Sequence, residues 1–171
     1  MIFVSNGKGL GILALIIGIS GLGMGVYTII FPQVQDVDTN FGIQNTWFKY
    51  DSATYGTSPI GTDLVIAALT INFTVNSGES VYFLFNTFAL VSGAGLASIQ
   101  FRFVLDGVIK GPPSYPEVYI ASDGVDQYNS VTLQIAKEIS TGPHNLTICI
   151  KGTDATNGIK DSTLLVQTFI P

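Results

Sequence analysis

The N-terminal part of the chain is one long apolar run. No charged side chain lies between Lys8 and Asp36, and residues 10–31 are almost wholly apolar. A helix of about 22 residues, rising about 1.5 Å per residue, spans ~33 Å, which is enough to cross the hydrocarbon core of a membrane. Pro32 ends the helix because its ring breaks the helical hydrogen bonding. The pattern therefore predicts an N-terminal transmembrane α-helix.

After a short polar linker, apolar residues recur with a period of two, which is typical of strands that bury one face. Ile99, Phe101 and Phe103, for example, alternate with polar residues. The pair Asp106-Gly107 predicts a tight turn. The predicted strands are 41–50, 64–75, 80–91, 97–105, 117–121, 130–136, 144–151 and 162–170. About eight short strands without a further helix predict an all-β sandwich or jelly roll.

These patterns divide the chain into four parts. They are a short tail (1–8), a transmembrane or filament-core helix (9–32), a linker (33–40) and an extracellular β-sandwich domain (41–171). The predicted fold is thus an N-terminal transmembrane α-helix followed by an all-β jelly-roll or sandwich domain.

The small residues of the predicted helix lie on one side of it. At about 100° per residue, five of them fall within an arc of about 80°. They are Gly11, Ala14, Gly18, Gly21 and Gly25. A smooth stripe lets a second helix approach closely, in a bilayer or in a fibre core. We therefore interpret it as a helix-packing face, although glycine is also simply common in membrane helices.

The composition adds two constraints. The chain is 47% hydrophobic and 11% charged, with a mean hydropathy of +0.45, whereas soluble domains contain roughly 25% charged residues. A membrane segment or an extensive interface between copies must account for the difference. The net charge of −5 and the scattered positions of only seven Lys and Arg argue against nucleic acid as a partner, because no basic patch is available to neutralise phosphates.

The charges that flank the helix predict its orientation. Lys8 precedes it, whereas Asp36 and Asp38 follow it, and the positive-inside rule then places the N-terminus inside and the β domain outside. Two acceptor triplets, which begin at Asn72 and Asn145, are candidate N-glycosylation sites and agree with an exported domain. The prediction is a single-pass protein of the cell membrane, in contact with lipid.

Catalytic chemistry is not indicated. His144 is the only histidine and Cys149 the only cysteine, and strand parity places them on opposite faces, so they do not form a dyad. The chain contains no nucleophile-elbow, phosphate-loop, zinc-protease or dinucleotide fingerprint. We therefore predict no enzyme activity and no cofactor.

One run has the spacing of a calcium loop. Asp36, Asp38 and Asn40 place three oxygen ligands at every second position. The following glycine is one place late, however, and Trp47 stands where a closing glutamate is needed, so we interpret the run as a solvated linker and predict no metal. A weaker set of loop oxygens consists of Asp123, Asp126, Asp154 and Asn157.

Three segments of the β domain resemble tumour-necrosis-factor-like and complement-type globular heads. Residues 75–83 (VNSGESVYF) resemble their V-x-x-x-G-x-Y-x-F strand entry, although the spacing from Gly78 to Tyr82 is longer than in that pattern. Residues 139–147 resemble the G-x-H turn before the penultimate strand, and residues 164–170 resemble the closing strand at the trimer centre. The resemblance implies a non-enzymatic homotrimeric jelly roll, anchored by one helix with its N-terminus inside, that binds ligands through loops.

A second, weaker resemblance concerns the N-terminus. Lys8-Gly9 directly before the apolar run resembles the site cut by archaeal prepilin peptidases. It implies processing between Gly9 and Leu10 and a type IV pilin-like subunit, whose helices would bundle in the core of an extracellular filament.

The sequence thus favours a non-enzymatic structural or adhesive protein of the cell surface that associates with copies of itself. The alternatives are the filament subunit and a surface module that binds an extracellular ligand through its loops, in particular the aromatic segment 112–116 (PPSYP).

Overall fold

In the computed structural model, residues 42–93 and 95–171 are described, and they form two antiparallel β-sheets. The strands, in chain order, are β1 (Gly42–Asp51), β2 (Tyr55–Gly56), β3 (Leu64–Val65), β4 (Ile71–Val75), β5 (Ser80–Val91), β6 (Leu96–Leu105), β7 (Val108–Ile109), β8 (Glu117–Asp123), β9 (Gln127–Lys137), β10 (Gly142–Gly152) and β11 (Gly158–Ile170). Eight of them are five residues or longer, as the sequence predicts, and β2, β3 and β7 are two residues each.

The order of the strands is that of a jelly roll. Sheet A runs β1-β11-β5-β9, with β2 also beside β11. Sheet B runs β3-β10-β6-β7, with β4 also beside β10 and β8 beside β6. The last strand therefore lies between β1 and β5, and the last but one lies between β4 and β6, which is a double Greek key. The predicted all-β sandwich is confirmed.

Four phenylalanine rings fill the middle of the sandwich. Phe83 and Phe85 come from β5 and Phe101 and Phe103 from β6, and all four are fully buried. The ring centroids of Phe83 and Phe103 are 5.7 Å apart, and those of Phe85 and Phe101 are 6.2 Å apart. The two sheets are thus joined by aromatic pairs contributed by every second residue of each strand.

The single strand predicted over residues 64–75 is wrong. It is divided into β3 and β4 by a 3₁₀ turn, Ala67–Leu69. Both Ile66 and Leu69 are buried, and side chains three residues apart reach the same side of a helical turn but opposite sides of a strand. Ile66 also bonds twice to β10, since its N–H donates to Ile148 (2.9 Å) and its carbonyl accepts the Thr147 hydroxyl (2.6 Å).

The turn predicted at Asp106-Gly107 is confirmed. Both residues have positive φ, 53° and 74°, as a two-residue hairpin turn between β6 and β7 requires.

Several predictions concern residues 1–41, which lie outside the described part of the chain. They are the helix over 9–32 with its packing face, the cleavage between Gly9 and Leu10, and the acidic run at Asp36, Asp38 and Asn40. Across the described ranges, no helix is long and apolar enough to span a membrane.

Candidate interaction surface

The two candidate glycosylation sites are neighbours in the fold. Asn72 on β4 is the register partner of Asn145 on β10, and both point away from the core. Asn72 and the hydroxyl-bearing Thr74 of its triplet are exposed. In the second triplet, by contrast, Thr147 is buried and its hydroxyl donates to a backbone carbonyl. Of the two triplets, only the first presents both of its polar side chains to solvent.

Cys149 lies away from His144, on the other face of β10. Its thiol is fully buried beside β3 and β6. The pKa of this thiol is raised to about 11, chiefly by burial and also by Asp63, while Arg102 opposes the rise. The thiol is therefore protonated at neutral pH, and it has the properties of a core side chain rather than of a nucleophile.

His144 closes a small polar network above the core. Its Nδ1 is 2.8 Å from Asp106 Oδ2, its Nε2 is 2.8 Å from the Ser140 carbonyl oxygen, and its ring packs on Phe73 with centroids 5.6 Å apart. Asp106 also accepts the Asn145 N–H through Oδ1 at 2.9 Å. The network ties the β6–β7 turn to the start of β10.

This network predicts a pH dependence of stability. Partial burial lowers the pKa of His144, but the Asp106 carboxylate and the Ser140 carbonyl outweigh it, so the pKa is raised above 6.5. Burial likewise raises the pKa of Asp106, but His144 and the Asn145 amide outweigh it and hold the pKa below 3.8. A raised histidine pKa stabilises the fold below the unfolded value and loses that contribution as the pH rises through the folded value.

We therefore expect the contribution of His144 to the free energy of unfolding to be fully present below about pH 6.5 and to decrease as the pH rises above it. Urea titrations at pH 5.5 and pH 8.5 measure the difference. His144→Gln keeps a donor beside Asp106 but does not titrate, so it should abolish the decrease. An equal decrease in the variant would show that another group is responsible.

The central part of the outward side of sheet A carries no charged side chains. Three cross-strand rows run over β1, β11, β5 and β9. The rows are Thr46-Gln167-Tyr82-Ala136, Phe48-Leu165-Leu84-Gln134 and Tyr50-Thr163-Asn86-Thr132. We call these twelve residues the sheet A outer face. Charges first appear at its margin, at Lys160 and Asp161.

The polar groups of this face are largely paired with one another. Tyr82 donates to Gln134 (2.7 Å), Thr132 donates to Asn86 (2.7 Å) and Gln167 donates to Thr46 (3.2 Å). Phe48 lies among them with 61% of its surface exposed. Since charged residues are depleted and aromatic residues enriched at the centres of protein interfaces, this surface has the composition of an interface.

A pocket of about 320 Å³ lies where sheet A meets the β1–β2 and β10–β11 loops. Phe88 and Tyr128, both exposed, line it together with Thr54, Thr156 and Lys160. The aromatic segment 112–116 does not contribute an exposed ring, since Tyr115 is only 8% exposed and lies in the core, with Lys137 Nζ 4.6 Å from its ring centroid. Ligand binding by segment 112–116 stays a prediction, but its one aromatic ring is not on the surface.

Three of the four loop residues considered as weak ligands, Asp126, Asp154 and Asn157, have side-chain partners within the protein. Asp126 bonds to the Ser92 hydroxyl, and Asp154 accepts the Thr156 N–H at 2.9 Å. Asn157 is buried, and its amide joins two loops, accepting from Ser92 N and donating to the Ser98 carbonyl, both at 2.9 Å. Over residues 42–93 and 95–171, no group of three or more His, Cys, Asp or Glu could hold a metal ion.

Comparison with known proteins gives only distant similarity. No family model and no curated protein matches the sequence. Among solved structures, the chain is similar to a chain of infectious bursal disease virus, Gt strain, with 14% identity and a TM-score of 0.42 over 75% of this chain and 34% of that one.

Two further similarities cover nearly the whole of the other chain. One is to disulfide-linked pili of Bacillus endospore appendages (15% identity, TM-score 0.35, covering 78% of this chain and 95% of that one). The other is to carbohydrate-binding module CBM36 in complex with calcium and xylotriose (17% identity, TM-score 0.32, 75% and 93%). The chain spans about a third of the length of the viral chains that it matches. These similarities are too distant to indicate a function.

Proposed function

We propose that this protein is a non-enzymatic structural or adhesive protein of the cell surface whose β domain binds copies of itself. The observation that supports this most directly is the sheet A outer face, a continuous uncharged surface on a protein of net charge −5. A large uncharged patch on a folded domain is typical of a surface that is buried against a partner.

Charge does not oppose a second copy as that partner. Two copies with the same net negative charge repel each other. In a two-fold contact a residue close to the axis lies near its own symmetry mate, so a charged residue there would meet a like charge. The sheet A outer face avoids this cost because none of its twelve residues is charged.

The proposal includes the location of the protein in the cell membrane. The apolar run over residues 9–32 would anchor the chain in the cell membrane, with the N-terminus inside, lipid around the helix and its glycine-alanine face against other copies. In the filament alternative the same helices bundle in a fibre core after cleavage. N-terminal sequencing of native protein separates the two, since it would begin at Leu10 in a processed subunit and at Met1 in an unprocessed anchor.

We expect the full-length protein in mild detergent to be oligomeric at micromolar concentration, and Phe48→Lys to lower its mass. The new lysine would bring like charges into the contact, while Phe48 is already 61% exposed, so the fold should tolerate it. Light scattering after size-exclusion chromatography measures the mass.

Val108→Lys is the matched control, since Val108 is 55% exposed on sheet B and its replacement adds the same charge away from the proposed contact. A monomeric wild-type protein would contradict the proposed function. An oligomer that Phe48→Lys and Val108→Lys leave unchanged would exclude the sheet A outer face as the contact.

A further inference from the structure

Strand β9 forms an open edge of sheet A. In the described part of the chain it pairs only with β5, along all 11 residues and without a register shift. It contains no proline and no glycine, and its one charged residue, Lys137, stands at the last position. The backbone groups on the free side of such a strand form a template for another strand, which is why long edges are usually bent, charged or covered.

The other long edges of the two sheets have such protection. β1 is interrupted by a register shift between Ile43 and Asn45, and Lys49 on its inward side donates to the Ala68 carbonyl at 3.2 Å. β8 has a charged residue at each end, Glu117 and Asp123. Of these three edges, β9 is the longest strand that pairs without a register shift, and its one charge stands at its last position.

We propose that β9 pairs with the β9 strand of a second copy, antiparallel, around a two-fold axis at Thr132. This inference rests on the self-association proposed above and adds to it a contact at the edge of the sheet. Full overlap of the two strands places residue 127 of one copy opposite residue 137 of the other, and all 11 positions of β9 then have a partner.

The side chains of β9 suit this register. On the inward side, Val131 lies opposite Leu133 of the other copy, so an apolar residue meets an apolar residue. On the outward side, Ser130 lies opposite Gln134 of the other copy, and the Thr132 residues of the two copies lie opposite each other. Lys137 lies opposite Gln127, and the two lysines are at opposite ends of the pair, about 34 Å apart at about 3.4 Å per residue. No like charges meet.

The consequence is a sheet of eight long strands shared by two copies, β1-β11-β5-β9-β9-β5-β11-β1. Because the axis is perpendicular to the sheet, the outer faces of the two copies lie on the same side and form one surface of twice the area. Two-fold contacts build assemblies with an even number of copies. The trimer implied by the resemblance to tumour-necrosis-factor-like heads would need a three-fold contact instead.

Amide hydrogen exchange distinguishes the edge contact from contacts through the sheet A outer face. The N–H groups of β9 that point away from β5 are open to water in a monomer and hydrogen-bonded in the pair, so their exchange should slow at least about tenfold on pairing. Packing through the outer face does not engage these groups. The full-length protein in mild detergent is compared with the double variant Phe48→Lys/Asn129→Lys, in which both proposed contacts of the β domain are blocked.

Asn129→Lys places a charge on the inward side of the edge, which blocks strand pairing and leaves the outer face unchanged. The matched control is Asn45→Lys, an asparagine of the opposite edge strand of the same sheet. In the Phe48→Lys background, we expect Asn45→Lys to keep the slow exchange in β9. Asn129→Lys should abolish the slow exchange while the circular dichroism spectrum stays that of the folded domain.

Each other outcome contradicts the inference. A monomeric wild-type protein overturns the edge contact together with the proposed function. An oligomeric wild type whose outward β9 amides exchange as fast as those of the double variant overturns the edge contact alone. Loss of the slow exchange in Asn45→Lys would mean that β1 of the second copy, and not its β9, is the partner strand.

Discussion

Phe83→Ala is expected to lower the free energy of unfolding by about 3–5 kcal/mol, the usual cost of removing a buried aromatic ring. Phe83 is fully buried at the middle of the sandwich, where its ring centroid is 5.8 Å from that of Phe73 and 5.7 Å from that of Phe103. The substitution leaves a cavity between the two sheets, which the strands cannot close without breaking their ladders. Urea unfolding followed by Trp47 fluorescence measures the loss, since Trp47 packs on Phe73 at 5.9 Å.

Phe88→Ala is the matched control, because Phe88 belongs to the same strand and points to the other side of it. Its ring is exposed, so its removal should change the free energy of unfolding by no more than about 0.5 kcal/mol. Equal effects of the two substitutions would contradict the assignment of inward and outward faces in β5. A loss below about 1 kcal/mol for Phe83→Ala would contradict the packing of the core.

The strands could be predicted because one face of each strand packs on the apolar core while the other faces outward. Ile99, Phe101 and Phe103 face the core at every second position, and the polar residues between them face outward, so the alternation is already visible in the sequence. The turn at Asp106-Gly107 could also be predicted from the sequence, since few residue pairs adopt positive φ at two successive positions at low cost.

The break between β3 and β4 could not be predicted from the pattern of apolar and polar residues. The segment is as apolar as a strand, and the bonds that define the turn, from Leu69 N–H to the Ile66 carbonyl and from Thr70 N–H to the Ala67 carbonyl (both 3.0 Å), cannot be read from that pattern. Likewise, Tyr115 comes two residues after a pair of prolines in what reads as an exposed loop, yet its ring is in the core. In both segments tertiary contacts decide the conformation of a locally ambiguous sequence.

The sheet A outer face could not be located from the sequence alone. The sequence shows that Phe48, Leu84 and Leu165 lie on strands, but they are far apart along the chain. They become neighbours only because β11 is inserted between β1 and β5, a pairing that no local pattern specifies. The deficit of charged residues predicted a buried interface, and the strand order was needed to locate a surface with that composition.

Asn157→Ala is expected to lower the free energy of unfolding by about 1–3 kcal/mol. The amide of Asn157 is buried and satisfies the N–H of Ser92 and the carbonyl of Ser98, both at 2.9 Å. Alanine leaves the Ser92 N–H without its partner, at a cost of about 1–3 kcal/mol, whereas the Ser98 carbonyl still accepts the Thr153 N–H at 3.0 Å. Urea unfolding measures the total, and faster hydrogen exchange of the Ser92 amide would show that the lost bond is the cause.

Asn72→Ala is the matched control, since Asn72 is exposed on β4 and its replacement should cost no more than about 0.5 kcal/mol. Asn157 had the sequence signature of a loop ligand, an oxygen-bearing side chain three residues after Asp154 in a turn. Its amide instead bonds to backbone groups at both of its polar atoms, because an amide both accepts and donates hydrogen bonds. The oxygen accepts the Ser92 N–H and the nitrogen donates to the Ser98 carbonyl. A loss below about 1 kcal/mol for Asn157→Ala would mean that water replaces the amide, and the site would then be open to solvent rather than closed between the two loops.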